Sequence, residues 1–150
     1  GSTISTGEFT PKKYLMVQYY LKSSGAVAYD FKFNSSTGSE YAGRHQNDGR
    51  GTSSAGTDDY TQASRTELLQ NMGYSGGGVH AGTMFIVNEA NQEKLVLGYI
   101  IGAGVAGVGV DTHRSEIAYK WTNATDQIKN ITMINSAAVS KYKIQVWGSD

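Results

Sequence analysis

Apolar and polar residues alternate along most of this chain, and the alternation predicts β-strands. In Tyr14-Leu-Met-Val-Gln-Tyr-Tyr-Leu-Lys22, Leu15, Val17, Tyr19 and Leu21 fall on one side. Val27, Tyr29, Phe31 and Phe33 do the same against Asp30 and Lys32, and Ser23-Ser-Gly25 between the two runs predicts a hairpin. A turn over Asn34 to Gly38 leads to a short strand over Glu40 to His45. Gln46 to Tyr60 has almost nothing to bury and reads as a long surface loop. Arg65 to Met72 reads as a short strand, with one helical turn as the alternative, and Gly73 to Gly82 as a second loop.

Thr83-Met-Phe-Ile-Val-Asn88 is apolar on both faces, the pattern of a buried central strand, and Lys94 to Ile101 is also rich in strand formers. A third, glycine-rich loop spans Gly102 to Arg114. Three further runs close the chain: Ser115 to Trp121, with Ile117, Tyr119 and Trp121 on one face; Gln127 to Asn135; and Tyr142 to Trp147, with Tyr142, Ile144 and Val146 aligned. The expectation is an all-β, antiparallel two-sheet sandwich or jelly roll of about seven to nine strands. It forms a single domain over residues 14–150, with the last strand stitched into a sheet. Residues 1–13 read as a polar lead-in, ordered at most in part, whose opening Gly1-Ser2 looks like a cloning remnant.

At 150 residues the chain suits one core. Its 13 basic residues balance 13 acidic ones, so no broad field exists to attract nucleic acid. No apolar run approaches the roughly 20 residues that a spanning helix requires, and membrane insertion is not expected. The absence of cysteine removes thiol catalysis, disulfides and thiolate metal sites. Abundant tyrosine, glycine, serine, threonine and asparagine describe a β protein with polar loops.

Catalytic patterns are not found. Gly102-Ala-Gly-Val-Ala-Gly matches a dinucleotide fingerprint formally, but no helix follows it to receive a pyrophosphate. The three histidines, His45, His80 and His113, lie apart in sequence and show no zinc-ligand spacing. No Gly-x-Ser-x-Gly elbow is present, and no acids pair at the spacing a glycosidase would use on a strand. Asn47-Asp48-Gly49 and Asp58-Asp59 offer oxygen ligands without EF-hand spacing. Calcium is the one cation they could take, and no resident cofactor is expected. Asn34, Asn123 and Asn130 begin N-glycosylation acceptor triplets, to which no role is assigned.

The positive chemical signal is aromatic. Tyr41, Tyr60 and Tyr74 stand in or beside the loops with Arg44, Asp58, Asp59 and His80, a mixture that can stack on sugar rings and hydrogen-bond their hydroxyls. These seven residues form the expected ligand-binding set, and the same rings could instead pack at sheet edges. Tyr20, opposite in direction to Leu21, suggests a partly apolar outer sheet face used in subunit contact.

Glu8-Phe-Thr-Pro-Lys-Lys-Tyr-Leu-Met-Val-Gln18, Phe33-Asn-Ser-Ser-Thr-Gly-Ser-Glu-Tyr-Ala-Gly-Arg44 with Asp48-Gly49, Glu93-Lys-Leu, Lys120-Trp-Thr-Asn and Ile144-Gln-Val-Trp-Gly-Ser-Asp150 carry a resemblance over nearly the whole chain. The pattern resembles β-sandwich domains of marine bacteriophages and viral metagenomes, jelly rolls of the concanavalin A-like kind from tail fibres and other virion-surface proteins. Where that pattern has a proline before an Arg-x-Glu strand, this chain reads Val110-Asp-Thr-His-Arg114. The resemblance implies a non-enzymatic, virion-surface or extracellular module. It would recognise a host-surface glycan or receptor, sit among other virion proteins and act as a homo-oligomer. The alternatives are a purely structural role in capsid decoration or fibre oligomerisation, and a carbohydrate-binding module of a glycan-degrading enzyme.

Overall fold

Strand formation follows the period-two pattern closely wherever one side of a run can reach the core. The computed structural model describes residues 2–23, 25, 28–48, 57–68, 78–103, 112–136 and 138–150, leaving the side chains of Asp48, Thr57 and Asp58 outside the description. The described residues form ten strands: β1 (Ser2–Ser5), β2 (Tyr14–Ser23), β3 (Tyr29–Phe33), β4 (Tyr41–Asp48), β5 (Thr57–Arg65), β6 (Gly78–Val87), β7 (Lys94–Ala103), β8 (His113–Trp121), β9 (Ile131–Asn135) and β10 (Val139–Ser149). They make two antiparallel sheets, one of three strands in the order β1-β9-β3 and one of seven in the order β10-β2-β6-β7-β8-β4-β5. The sheets pack face to face as a sandwich of jelly-roll-like form.

The core lies between them. From the small sheet come Ile4, Tyr29, Phe31, Phe33, Ile131 and Met133; from the large one come Val17, Tyr19, Leu21, Met84, Ile86, Ile100, Ile117 and Trp121, all buried. Aromatic edges knit the layers: Tyr19 meets Phe31 at a centroid distance of 5.0 Å, and Phe33 meets Trp121 at 5.8 Å. Room for these rings comes from glycines on the inner side of the large sheet. A Cβ on Gly82 would stand 2.4 Å from the Tyr19 ring, and one on Gly43 2.5 Å from that of Tyr119.

Several expectations are corrected here. The first two long strands are not a hairpin, because β2 pairs with β6 and β10 whereas β3 pairs with β9 in the opposite sheet. Alternation gave each strand an apolar side but not the sheet to which it belongs. The stretch read as a loop from Gln46 to Tyr60 contributes the end of β4 and the start of β5, paired from Tyr41↔Arg65 to Asp48↔Thr57. β5 is an edge strand almost without apolar residues, so hydrophobic periodicity could not reveal it. The lead-in supplies β1, paired with β9 from Ser2↔Asn135 to Ser5↔Thr132. From the segment read as a strand over Arg65 to Met72, Arg65 ends β5 and Leu68 bridges Phe31 through two backbone hydrogen bonds of 2.9 Å. The rest of that segment lies outside the described residues.

Only Ile131–Asn135 of the run from Gln127 is strand. Before it, Asn side chains take the place of a ladder: Asn88 Oδ1 accepts the Ile128 N–H at 2.6 Å, and Asn34 Oδ1 accepts those of Lys129 and Asn130. Buried Lys94 closes the neighbouring turn by donating to the carbonyls of Gln92 and Asn123.

Candidate functional site

The registers of the large sheet fix which side chains stand together on its outer face. Four outward residues of β7, Leu95, Leu97, Tyr99 and Ile101, are each between 51% and 54% exposed. Across the strands they extend into rows. One runs Trp147, Met16, Phe85, Leu97, Ala118 and Arg44, and a second runs Tyr14, Val87, Leu95 and Lys120. The result is an apolar area over β2, β6 and β7 with Trp147 at its β10 border, where Lys143, Gln145 and Ser149 share the same face. Its rim on β8, β4 and β5 is charged, with Arg114, Glu116, Lys120, Arg44 and Asp59. A contiguous apolar patch rimmed by polar residues is the surface signature of an interaction site. By contrast, the small sheet directs Asp30, Lys32 and Thr132 away from the core, and Lys32 pairs with Glu67 at 3.3 Å.

Between the apolar row through Phe85 and Leu97 and the next row through Tyr20, Ala81 and Ile101 runs a polar one: Gln145, Gln18, Thr83, Tyr99, Glu116, Gln46 and Asp59. Two shallow depressions follow it, of about 580 Å³ over β2 to β8 and about 400 Å³ over β8 to β5. Both are lined by Glu116, so they meet there. At the β5 end Gln46 Nε2 donates to Asp59 Oδ1 at 3.0 Å, which fixes both side chains.

The structure separates the seven residues singled out from sequence. Arg44 and Asp59 come together on this outer face and line the smaller depression. Tyr60 also borders that depression, but its side chain follows the other side of β5, where its ring stacks on His45 with centroids 4.6 Å apart. Tyr41 is a core residue, not a loop residue: it is 1% exposed, stacks on Trp121, and its hydroxyl accepts the Phe33 N–H at 2.8 Å. His80 is likewise corrected. It points inward from β6, fully buried against Tyr29 and His113 at centroid distances of 5.5 and 5.4 Å, and cannot reach a sugar. Burial, and then His113, lower its pKa from 6.5 to about 4, so the ring is neutral in the fold. The Tyr74 expectation and the side chain of Asp58 lie outside the described residues; the Asp58 backbone pairs with Asn47 in the ladder, not in a loop. Asn47, considered with Asp48 as a calcium ligand, is buried, and its Oδ1 accepts the Ser115 hydroxyl at 2.6 Å.

Sequence reasoning missed Gln18, Thr83, Leu95, Leu97, Tyr99 and Glu116 as members of a surface. The available signal was β7 itself, with large apolar residues at every second position on the side opposite to Val96 and Ile100. Comparison with protein-family models, curated proteins and solved structures found no match to this chain.

Proposed function

We propose that this chain is a non-enzymatic assembly and attachment module whose copies associate through the apolar area of the large sheet's outer face. The observation that carries this reading is the exposed series Leu95, Leu97, Tyr99 and Ile101, backed by Phe85 and Trp147. Four strands about 4.8 Å apart, each followed for about seven residues, cover roughly 500 Å² in projection before side-chain relief is added. That is the scale of the roughly 800 Å² per partner in a specific interface. The patch carries the aromatic rings of Tyr14, Tyr20, Phe85, Tyr99 and Trp147 beside Met16, and enrichment in aromatic residues is a mark of interfaces. A formal net charge of zero puts no long-range repulsion between copies. The resemblance to virion-surface β-sandwiches supports a place in a fibre or shell, where the polar half of the same face remains available for attachment.

Sedimentation velocity tests the assembly. At tens of micromolar the wild type sediments as an oligomer, and the double variant Phe85→Lys/Leu95→Lys, with its outward charges, sediments as a folded monomer. A wild type that stays monomeric at that concentration overturns the reading.

A further inference from the structure

We infer that the buried rings of His80, His113, Tyr29 and Tyr19, between the two sheets, form a binding site for one divalent transition-metal ion of the zinc class. This inference does not depend on the association of copies, which uses the opposite side of the large sheet. The ladders bring two histidines together that the sequence keeps apart: His80 on β6 and His113 on β8 both pair with Gly102 on β7. A Cβ on Gly102 would lie 2.0 Å from the His113 ring, so a glycine there lets that ring lie across β7 towards His80. From the small sheet Tyr29 meets the His80 ring, and Tyr19 of β2 packs against Tyr29 with centroids 5.8 Å apart.

The observation that carries the site is a set of enclosed polar atoms. Both ring nitrogens of His80 and the hydroxyls of Tyr19 and Tyr29 are buried without a hydrogen-bond partner. So is Oδ1 of Asn135, the neighbour of Tyr29 across the β3–β9 ladder. Leaving that many buried groups unsatisfied costs enough to rival the whole stability of a domain. An ion that takes up their lone pairs removes much of that cost.

Geometry and chemistry select the ion. Two imidazoles on one tetrahedral ion, at the usual nitrogen distance of about 2.0–2.1 Å, have ring centres about 5.2 Å apart. The His80 and His113 centroids are 5.4 Å apart. One nitrogen of each ring suffices, and the other is left for a neighbouring group, the usual arrangement of a ligating histidine. Cysteine is absent, and among the described residues no carboxylate or third histidine joins the pair, so the oxygen donors must come from the two phenols. Imidazole nitrogen suits zinc-class ions, whereas calcium and magnesium take oxygen ligands. Each phenol that binds gives its proton to solvent, and two phenolates with two neutral imidazoles balance a charge of two, as an apolar interior requires. Tyr29 opens β3, His113 opens β8 and Asn135 ends β9, so the cluster lies at one end of the sandwich, where an ion arrives without crossing the core. Bound there, it joins β3 of the small sheet to β6 and β8 of the large one.

Titration of the chelator-treated protein with Zn²⁺ and with Co²⁺ tests the site. The wild type binds one ion per chain, releases protons as it does so, and gives with Co²⁺ the visible absorption of a four-coordinate complex. It melts about 5 °C or more higher when free Zn²⁺ is a hundredfold above its Kd. His80→Leu keeps the β-sheet circular-dichroism spectrum and loses the ion. Tyr29→Phe removes only an unpaired hydroxyl, so it melts no lower than the ion-free wild type, yet it binds the ion at least about tenfold more weakly. Should His80→Leu fail to fold, Tyr29→Phe decides alone. A folded wild type that retains no ion, an ion kept by folded His80→Leu, or binding unchanged in Tyr29→Phe overturns the site. The Phe85→Lys/Leu95→Lys variant binds the ion as the wild type does; its loss there would place the ion on the outer face and overturn the site as well.

Discussion

The two sides of β7 differ in a direction that burial within one copy does not explain. Its inner side, facing the core, carries Lys94, Val96, Gly98, Ile100 and Gly102; its outer side carries Leu95, Leu97, Tyr99 and Ile101. The solvent side therefore holds the larger apolar residues. Inside, small residues are required by neighbours: a Cβ on Gly98 would lie 2.6 Å from the Thr83 carbonyl oxygen, and one on Gly102 2.0 Å from the His113 ring. Outside, no element of the described fold covers the side chains. The inner pattern answers the packing of the sandwich, and the outer pattern is the one that the proposed association of copies would account for.

Adjacent isoleucines give the sharpest division between these roles. Ile100 is 2% exposed, and Ile100→Ala is expected to cost about 2–5 kcal/mol of unfolding free energy, the range for emptying a packed core site. Ile101→Ala, one residue on, should change the stability of the dilute monomer by less than about 0.5 kcal/mol and weaken association at higher concentration. Urea unfolding at low concentration together with sedimentation of the same variants measures both. Equal losses of stability would erase the distinction between the faces.

The inner face also holds a fully buried histidine whose charged form the fold disfavours. His80 is neutral in the fold with a pKa of about 4, while the unfolded chain takes up its proton near 6.5. Its contribution to stability is fully present above pH 6.5, declines as the pH falls from 6.5 towards 4, and is level below that, because the unfolded state binds the extra proton. The loss across this window is up to about 3 kcal/mol. Urea midpoints at pH 7.5 and pH 4.5 should separate clearly in the wild type and much less in His80→Leu. A His80→Leu variant with an undiminished pH dependence would place the titration elsewhere.

How much of this was legible in the sequence depends on what each residue answers to. Strands with one apolar side, such as β2 with Leu15, Val17, Tyr19 and Leu21, were readable because core burial and period two coincide. β1 and β5 were hidden, since short or polar edge strands are held by backbone ladders that leave little mark on side-chain choice. The inward direction of Tyr41 and His80 depends on register, which a run bounded by glycine-rich stretches does not fix. The outer face was half visible. Tyr20 pointed to it, but the apolar outer residues of β6 read as burial on both sides within one chain, and those of β7 only as strand formers. A strand covered by a partner and a strand covered by its own chain have the same pattern, and only the placement of the two sheets tells them apart.

Gly82 and Thr83 extend the comparison to β6. Gly82 lies under the Tyr19 ring, which is itself held against Tyr29 and Phe31 at centroid distances of 5.8 and 5.0 Å. A methyl group at this position must displace a packed aromatic cluster, so Gly82→Ala is expected to destabilise by about 1–3 kcal/mol despite alanine's usual advantage over glycine in a strand. Thr83→Ala faces outward and should stay within about 0.5 kcal/mol. Circular-dichroism unfolding of the pair measures the difference. If Gly82→Ala were as stable as wild type, Tyr19 would have room to move, and the inner glycines could not be read as space reserved for neighbouring rings.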